Sequence, residues 1–575
     1  MISIQTRKRI VRKYLVYDLE WIPGKFSKSG NMPVRLAGVY DGEVYRWYTS
    51  VYDFLNGELN SRNRGKWFYA HAGGLADFQF LLHDLLQRNG YKIEASFSGS
   101  SAIIVHVKKG KNVWHFIDSF WLLKSKLRDI GKWIGIEKGN EDESEEFYRD
   151  ASLEILREYN EVDCVILYKA ISQFENTLLE LGGQLMMTQA SCAMELFRRR
   201  FLKTDIDTDD RINVISRQAY FASRVEVLAK KCDDAYYYDV NSSFPYAMTF
   251  PIPGDAVGTY TGRMPDYGLY IADVDIEVPD CFLPPLPTRM GGRLFFPVGK
   301  WRGWFSNIDI ELLQKVGGRI LKVYTSISFE PRDDCREYAQ TLYDIRAKST
   351  GFMKIGCKFL LNSLYGKFAE SDIKSSLIVN PDVPDRQSWN ELFPGAWIAE
   401  RQVPIPHMHV PISVHITAIA RRTLFNYMGY ASETHYCDTD GFSSTNELES
   451  YEGILGKIKL EKIIRKGRFL LAKTYDMEGV DDKGRELRSL PDQGVKAKGF
   501  SRMNLDKFEK LIGGAEVEYS RMARIKEILR SGNTEPLEKV YKKKLRPDAI
   551  PKRCFYPDDR SRPWQIEELK DIFNK

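Results

Sequence analysis

Apolar and polar residues alternate in short runs over the first 180 positions, which predicts an α/β layer. Residues 14–19 (YLVYDL) read as a buried strand, and two β-rich runs around Asp41-Gly42 within 35–48 read as a hairpin. Phe78, Leu81, Leu82, Leu85 and Leu86 repeat at helical spacing, with Gly90 as a stop. Residues 101–118 predict a second hairpin turning at Lys109-Gly110-Lys111, and 151–178 a helix. The acidic run Glu141, Asp142, Glu143, Glu145, Glu146 before that helix reads as a solvated loop. Further on, a strand is expected at 235–240 (AYYYDV), loops or an inserted subdomain at 251–254 and 280–300, and a helix at 352–366. An irregular Pro-rich stretch at 370–411 and a strand–turn–strand at 434–443 follow.

At 575 residues the chain is long enough for about three to five folding units. With 43% apolar and 28% charged residues it is an ordinary globular composition, which excludes collagen-like or wholly disordered chains. No apolar run is long enough for a membrane span, and the charged start lacks the apolar core of a secretory signal. Eight cysteines without a CxxC pair argue against a zinc module or disulfide scaffold and suit a reducing compartment, so a cytoplasmic location is expected. A net charge of +6 permits a polyanionic partner without demanding one. Seven Lys or Arg against one Asp at 539–553 suggest phosphate contacts.

Two groups of acidic residues carry candidate chemistry. Asp18 and Glu20 (DLE) lie on one face of a strand, Asp77 starts a helix, and Tyr159 and Asp163 (YNEVD) sit one helical turn apart. Converging carboxylates can hold two divalent cations for phosphodiester hydrolysis, although DxE alone is a short pattern. The second group is Asp239 (YYYDVNSSFP) with Asp438 and Asp440 (HYCDTDGF). Alone, Asp438-Thr-Asp440 reads as an Asx-turn; with Asp239 it reads as a second metal-binding group. Between them Lys354, Lys358, Asn362 and Tyr365 share a helix face, either a solvated basic face or a platform for triphosphate and base.

Together YDVNSSFP, KFLLNSLYGKF and YCDTDGF resemble motifs A, B and C of family B DNA polymerases, in the form seen in the protein-primed subgroup of small phages and linear plasmids. DLE, HAGGLADF and YNEVD resemble the family's three 3′–5′ exonuclease motifs, in order. The resemblance implies an α/β and α+β multidomain fold: an RNase H-like exonuclease domain (1–185), then a right-hand polymerase. Its palm would occupy 186–284 and 413–500, its fingers 346–369, and its thumb and basic carboxy-terminal region 501–575. Two insertions would lie at 285–345 (terminal-protein type) and 370–412, the second with an aromatic tip of Trp389, Phe393 and Trp397.

By the same resemblance, Asp239, Val240 and Asp438 would hold two Mg²⁺ ions (Mn²⁺ as an alternative), with Asp440 beside them; Asp18, Glu20 and Asp163 would hold the exonuclease pair, with Asp77 and Tyr159 as further catalytic residues. Lys358, helped by Lys354, would bind the triphosphate, with Phe244 facing the ribose, Tyr365 stacking and Asn362 nearby. DNA would be held by Ser363, Gly366, Thr417, Arg421, Lys473, Tyr475, Lys496, Tyr220 and Ser119. Lys138 matches an auxiliary exonuclease lysine, while Ala72 and Ala76 replace residues that grip the primer end. The expected partners of this monomer are template and primer DNA, dNTPs and a terminal protein, with no membrane. A primer-independent polymerase, a stand-alone exonuclease and a non-catalytic DNA-binding protein are the rival readings.

Overall fold

The computed structural model describes residues 1–138, 144–381, 388–491, 493–500, 503–545 and 550–574. Glu141, Asp142 and Glu143 of the acidic run, and Arg546 and Asp548 of the basic stretch, lie outside them. Strands β1 (Tyr14–Trp21), β2 (Val34–Tyr40), β3 (Tyr45–Tyr48), β4 (Trp67–Ala70), β5 (Lys92–Ser98), β6 (Ser101–Lys109) and β7 (Asn112–Asp118) build the first sheet. β1, β4 and β7 are parallel neighbours and the rest pair antiparallel, so both predicted hairpins form. Alternate residues of β1 enter two different cores. Leu15 and Tyr17 pack with Phe68 and Phe116, while Val16 packs with Tyr69 and the long helix behind the sheet.

That helix is α3 (Leu153–Leu181), capped by the Ser152 hydroxyl and ended by Gly182 in a left-handed conformation. Before it stands α2 (Glu145–Asp150), and α1 (Asp77–Leu86) covers the other face of the sheet. Glu145 and Glu146, expected in a solvated loop, form the first turn of α2, where Lys25 pairs with both.

A seven-stranded sheet follows. It holds β8 (Val225–Val227) and β9 (Lys231–Val240), completed further along the chain. Between its halves lies a four-stranded sheet of β10 (Ile252–Thr261), β11 (Leu269–Val278), β14 (Gly299–Ser306) and β15 (Arg319–Arg332), with a small hairpin of β12 (Thr288–Met290) and β13 (Arg293–Phe295). Because β10 pairs with β15 along its length, the unit starts at 252, and the expected boundary at 285 cuts through it. Next comes the helix α4 (Gly351–Lys367).

The stretch 370–411 is not irregular. β16 (Ile373–Val379), β17 (Asn390–Phe393) and β18 (Ala396–Gln402) pair with one another, and β16 pairs with β5, which extends the first sheet to ten strands. Leu377, Val379 and Ala396 thereby enter the core of that sheet. The expected aromatic tip folds back: Trp389 is buried with Arg401 over its ring, and Phe393 packs on the same core. After the buried helix α5 (Val410–Met428), the strands β19 (Tyr436–Asp438), β20 (Gly441–Ser444), β21 (Ile458–Leu471), β22 (Thr474–Asp481) and β23 (Val495–Lys496) complete the seven-stranded sheet, in the order β23-β22-β21-β9-β20-β19-β8. The carboxy-terminal region reaches back to the first sheet, where Ile525 and Leu529 join its core and His83 bonds Thr534 at 2.8 Å.

Candidate active site: two acidic centres

The first centre lies where β1 meets α3. Oxygens of Asp18, Glu20 and Asp163 come within 4.8 Å of one another, the only group of three or more metal-ligating side chains so close among the described residues. Gly38 faces Asp18 in register, and a Cβ there would lie 1.7 Å from Asn160 Oδ1, so glycine alone admits the Asn160 side chain. Asn160 Nδ2 then donates to Asp18 Oδ2 at 3.0 Å and Glu20 Oε1 at 3.1 Å, while the Tyr45 hydroxyl donates to Asn160 Oδ1 at 2.9 Å and fixes the amide's orientation. Burial, then the charges of Asp18 and Asp163, push the Glu20 carboxyl well above its ordinary range. Burial likewise raises Asp18. Lys138 Nζ pairs with Asp163 at 2.9 Å and lies 4.6 Å from the Tyr159 ring centroid.

Asp18, Glu20, Lys138, Tyr159 and Asp163 line a cavity of about 340 Å³ together with Tyr148, whose hydroxyl is 3.1 Å from that of Tyr159. Asn160 and Tyr148 escaped the sequence reading. Asn160 was legible as the second residue of YNEVD, one turn from Cys164; Tyr148 is brought in by α2. Asp77 does not join the cluster: its carboxylate lies under β1 and accepts from the Leu19 amide at 3.2 Å. Ser119, expected to touch DNA, is fully buried and donates to the Ala70 carbonyl at 3.0 Å.

The second centre is a row across the seven-stranded sheet. Asp239 on β9 faces Gly441 on β20, and Gly441 faces Asp438 on β19. Direct partners project to one face, so two carboxylates flank a residue without a side chain. A Cβ at Gly441 would lie 2.5 Å from the Tyr237 hydroxyl. Asp440 follows a turn in which Thr439 has φ 68°, and the Val240 amide donates to the Asp440 carbonyl at 2.9 Å. Lys473 Nζ pairs with Asp438 Oδ1 at 2.8 Å. Burial, then the charges of Asp440 and Glu461, push Asp239 up to about 8. Burial and Asp438 push Asp440 to about 6. Glu461 and Lys462 are found only in the structure: Glu461 is the extra residue of a bulge in β21, between Leu460 opposite Tyr238 and Lys462 opposite Tyr237. Lys462 is buried, with Nζ 5.3 Å from the Tyr237 ring centroid and donating to the Gln493 carbonyl at 3.2 Å.

Beside this row, Phe244 stacks on Tyr365 with ring centroids 4.1 Å apart and planes at 8°. Lys354 and Lys358 are exposed on α4, as the helical spacing predicts. Asn362, Ser363, Tyr365 and Gly366 line a cavity of about 780 Å³ between α4, the β5–β6 turn, β16 and Lys526. Tyr475 is buried against Tyr436 and Phe469, with Lys496 facing it on β23. Tyr220 packs beneath α5, its carbonyl held by Arg289.

Thr417 and Arg421 are not at the surface. The Thr417 hydroxyl donates to its own helix at Ser413, and Arg421 bonds Asp309 at 2.8 Å and the Phe221 carbonyl at 2.6 Å, both side chains being buried. Arg553 of the basic stretch is also buried, donating to Ser561 and to the Phe282 carbonyl. None of the three is available to a nucleic acid in this structure.

Residues 136–391 match the family model described as DNA polymerase type B, organellar and viral. Over that segment, which is less than half of its length, the chain is similar to the type B DNA polymerases. A probable DNA polymerase of Ascobolus immersus is 25% identical over 510 residues, covering 74% of this chain and 42% of that protein. The DNA-directed DNA polymerase of Enterobacteria phage PRD1 is 27% identical over 463 residues, covering 76% and 77%. The chain thus spans less than half the length of the fungal relative. The structure of phi29 DNA polymerase with primer-template DNA and incoming nucleotide superposes with a TM-score of 0.73, at 19% identity, over 93% of this chain and all of that one. That likeness establishes the fold, one shared with phi29 DNA polymerase, and this chain carries both acidic centres on it. The family match contains Asp163, Asp239 and α4 but neither Asp18 and Glu20 nor Asp438 and Asp440, which only the geometry brings to them.

Proposed function

We propose that this chain is a DNA-templated DNA polymerase with its own 3′–5′ exonuclease, and that it replicates a small linear viral or plasmid genome from a protein primer in the host cytoplasm. The observation that carries the reading is the presence of two separate acidic centres in one type B scaffold, one beside a basic, aromatic helix face. The donor sets fit hard divalent cations: carboxylate oxygens only, gathered so that burial and mutual repulsion disfavour their charged forms. Mg²⁺ is the assignment for both centres. Bound there, such ions supply Lewis acidity to the attacking and leaving oxygens.

Asp239 and Asp440, rather than Asp438, are the carboxylates we assign to the ions of synthesis, since Lys473 already neutralises Asp438. Lys358 and Lys354 neutralise the triphosphate, and Tyr365 with Phe244 forms the floor on which base and sugar rest, so Phe244 excludes a ribose 2′-hydroxyl by bulk. Template strand runs through the cavity lined by Asn362, Ser363, Gly366, Lys374 and Lys526. In the other centre Asp18, Glu20 and Asp163 hold the ions of cleavage, while Lys138 and the paired phenols of Tyr148 and Tyr159 position the scissile phosphate.

A templated assay that varies the primer tests this reading. Extension of a hydroxyl-bearing protein primer, with degradation of single-stranded DNA by the same chain, is the expected result. Synthesis on a circular template without any primer would replace protein priming with self-priming. No metal-dependent dNTP turnover under any primer would remove the polymerase assignment.

A further inference from the structure

The first sheet carries a second constellation at the end away from its carboxylates. Glu94 on β5 is the register partner of His106 on β6, and His106 is the partner of His115 on β7. Direct partners share a face, so one carboxylate and two imidazoles stand in a row across three strands. The Nδ1 atoms of His106 and His115 are 2.7 Å apart, with rings 4.9 Å between centroids and at 89°. Both rings are half-buried. Trp67, next in the row, is covered by the Arg12 guanidinium at 4.9 Å. Glu94 pairs with Lys108 at 2.7 Å, an exposed contact that costs little to exchange.

A contact this short means that one proton lies between the two nitrogens. Metal–nitrogen bonds of about 2.0–2.1 Å at a tetrahedral angle set two ligand nitrogens about 3.4 Å apart. Opening the pair by roughly 0.7 Å, within reach of small side-chain rotations, would therefore admit an ion in place of that proton. Imidazole with carboxylate suits borderline ions such as Zn²⁺ or Cu²⁺, whereas Mg²⁺ prefers oxygen alone. His115 lies in the row of Tyr14 and Trp67, four residues along the parallel strands and two strands across the sheet from Asp18, so the two sites are about 16 Å apart at about 3.3 Å per residue and about 4.8 Å per strand.

We propose that Glu94, His106 and His115 form a site for one borderline transition-metal ion, Zn²⁺ foremost, separate from both carboxylate centres. Glu94 also faces Ile378 on β16, so the ion would tie β5, the strand on which the inserted strands pair, to β6 and β7.

The test uses the full chain in excess Mg²⁺, which keeps the carboxylate centres filled. Zn²⁺ is titrated calorimetrically, and Cu²⁺ is followed by electron paramagnetic resonance. One equivalent bound, with nitrogen hyperfine splitting from two imidazoles, is expected. His106→Ala and His115→Ala should each lose that equivalent or bind it at least about tenfold more weakly. Glu94→Gln should also weaken it, and Lys108→Ala, which frees Glu94, should tighten it. Equal binding by the double His→Ala variant overturns the proposal. Should the alanine variants not fold, the wild-type Cu²⁺ spectrum decides, because a signal from oxygen ligands alone would leave the pair as a proton-sharing contact of the sheet.

Discussion

The two acidic centres solve one electrostatic problem with different frames. In the first, a strand supplies Asp18 and Glu20, a helix supplies Asp163, and a buried amide, Asn160, bridges the strand carboxylates. In the second, Asp239 and Asp438 lie in one row of a sheet, Asp440 comes from the turn between β19 and β20, and Lys473 holds Asp438. Both place a glycine in register with an aspartate: Gly38 with Asp18, Gly441 with Asp239. The first glycine makes room for a neutral amide that bridges the oxygens; the second makes room for the Tyr237 phenol over the residue between the two carboxylates.

The largest expected effect is a double dissociation. Asp440→Asn should lower dNTP incorporation by well over the tenfold to hundredfold usual for loss of a group merely supporting a metal, with degradation of single-stranded DNA retained. Asp18→Asn should do the reverse. Loss of both activities in either variant would mean that the centres are not independent. Arg421→Ala breaks a buried ion pair with Asp309 and should destabilise the chain by about 3–5 kcal/mol in urea unfolding, while DNA affinity of the folded fraction stays unchanged; a selective loss of affinity would return Arg421 to the template path.

The glycines come next. Gly441→Ala should impair synthesis alone and Gly38→Ala cleavage alone, read in the same two assays. The raised carboxyls then predict pH dependence. In metal-free chain the native state holds protons on Asp239 and Asp440 that the unfolded chain has released, so stability falls as pH rises from about 4, the free carboxyl value, towards about 8. Melting temperatures in EDTA should decline over this window, Asp239→Asn should flatten its upper part, and Mg²⁺ should restore more at pH 8 than at pH 6. An unchanged profile in Asp239→Asn would refute the second centre's electrostatics. The smallest effect is that of Tyr148→Phe, a several-fold slowing of cleavage with synthesis untouched, measured at saturating Mg²⁺.

Local pattern made much of this legible. Alternation exposed β1 and β9 with their aspartates, the 3.6-residue period exposed α4, and the Asp-Gly and Lys-Gly-Lys turns exposed both hairpins. Readings failed where a residue's partner lies far along the chain. Arg421 and Thr417 occur in a pattern that suggests surface contact, yet Asp309, Phe221 and the turn at Ser413 claim them. The Pro-rich stretch looked irregular because its β16 completes itself only by pairing with β5, some 280 residues earlier, a relation no local period encodes.

By itself, then, the order of residues determined which acids exist, on which elements they sit and which face each presents, because strand and helix periods are local properties of the backbone. Only the tertiary structure decided which acids meet, that Lys473 takes Asp438, that Asp77 turns to the Leu19 amide, and that Glu94, His106 and His115 stand in one row. Those choices rest on strand register and burial, which are set by contacts between distant segments competing for the same space.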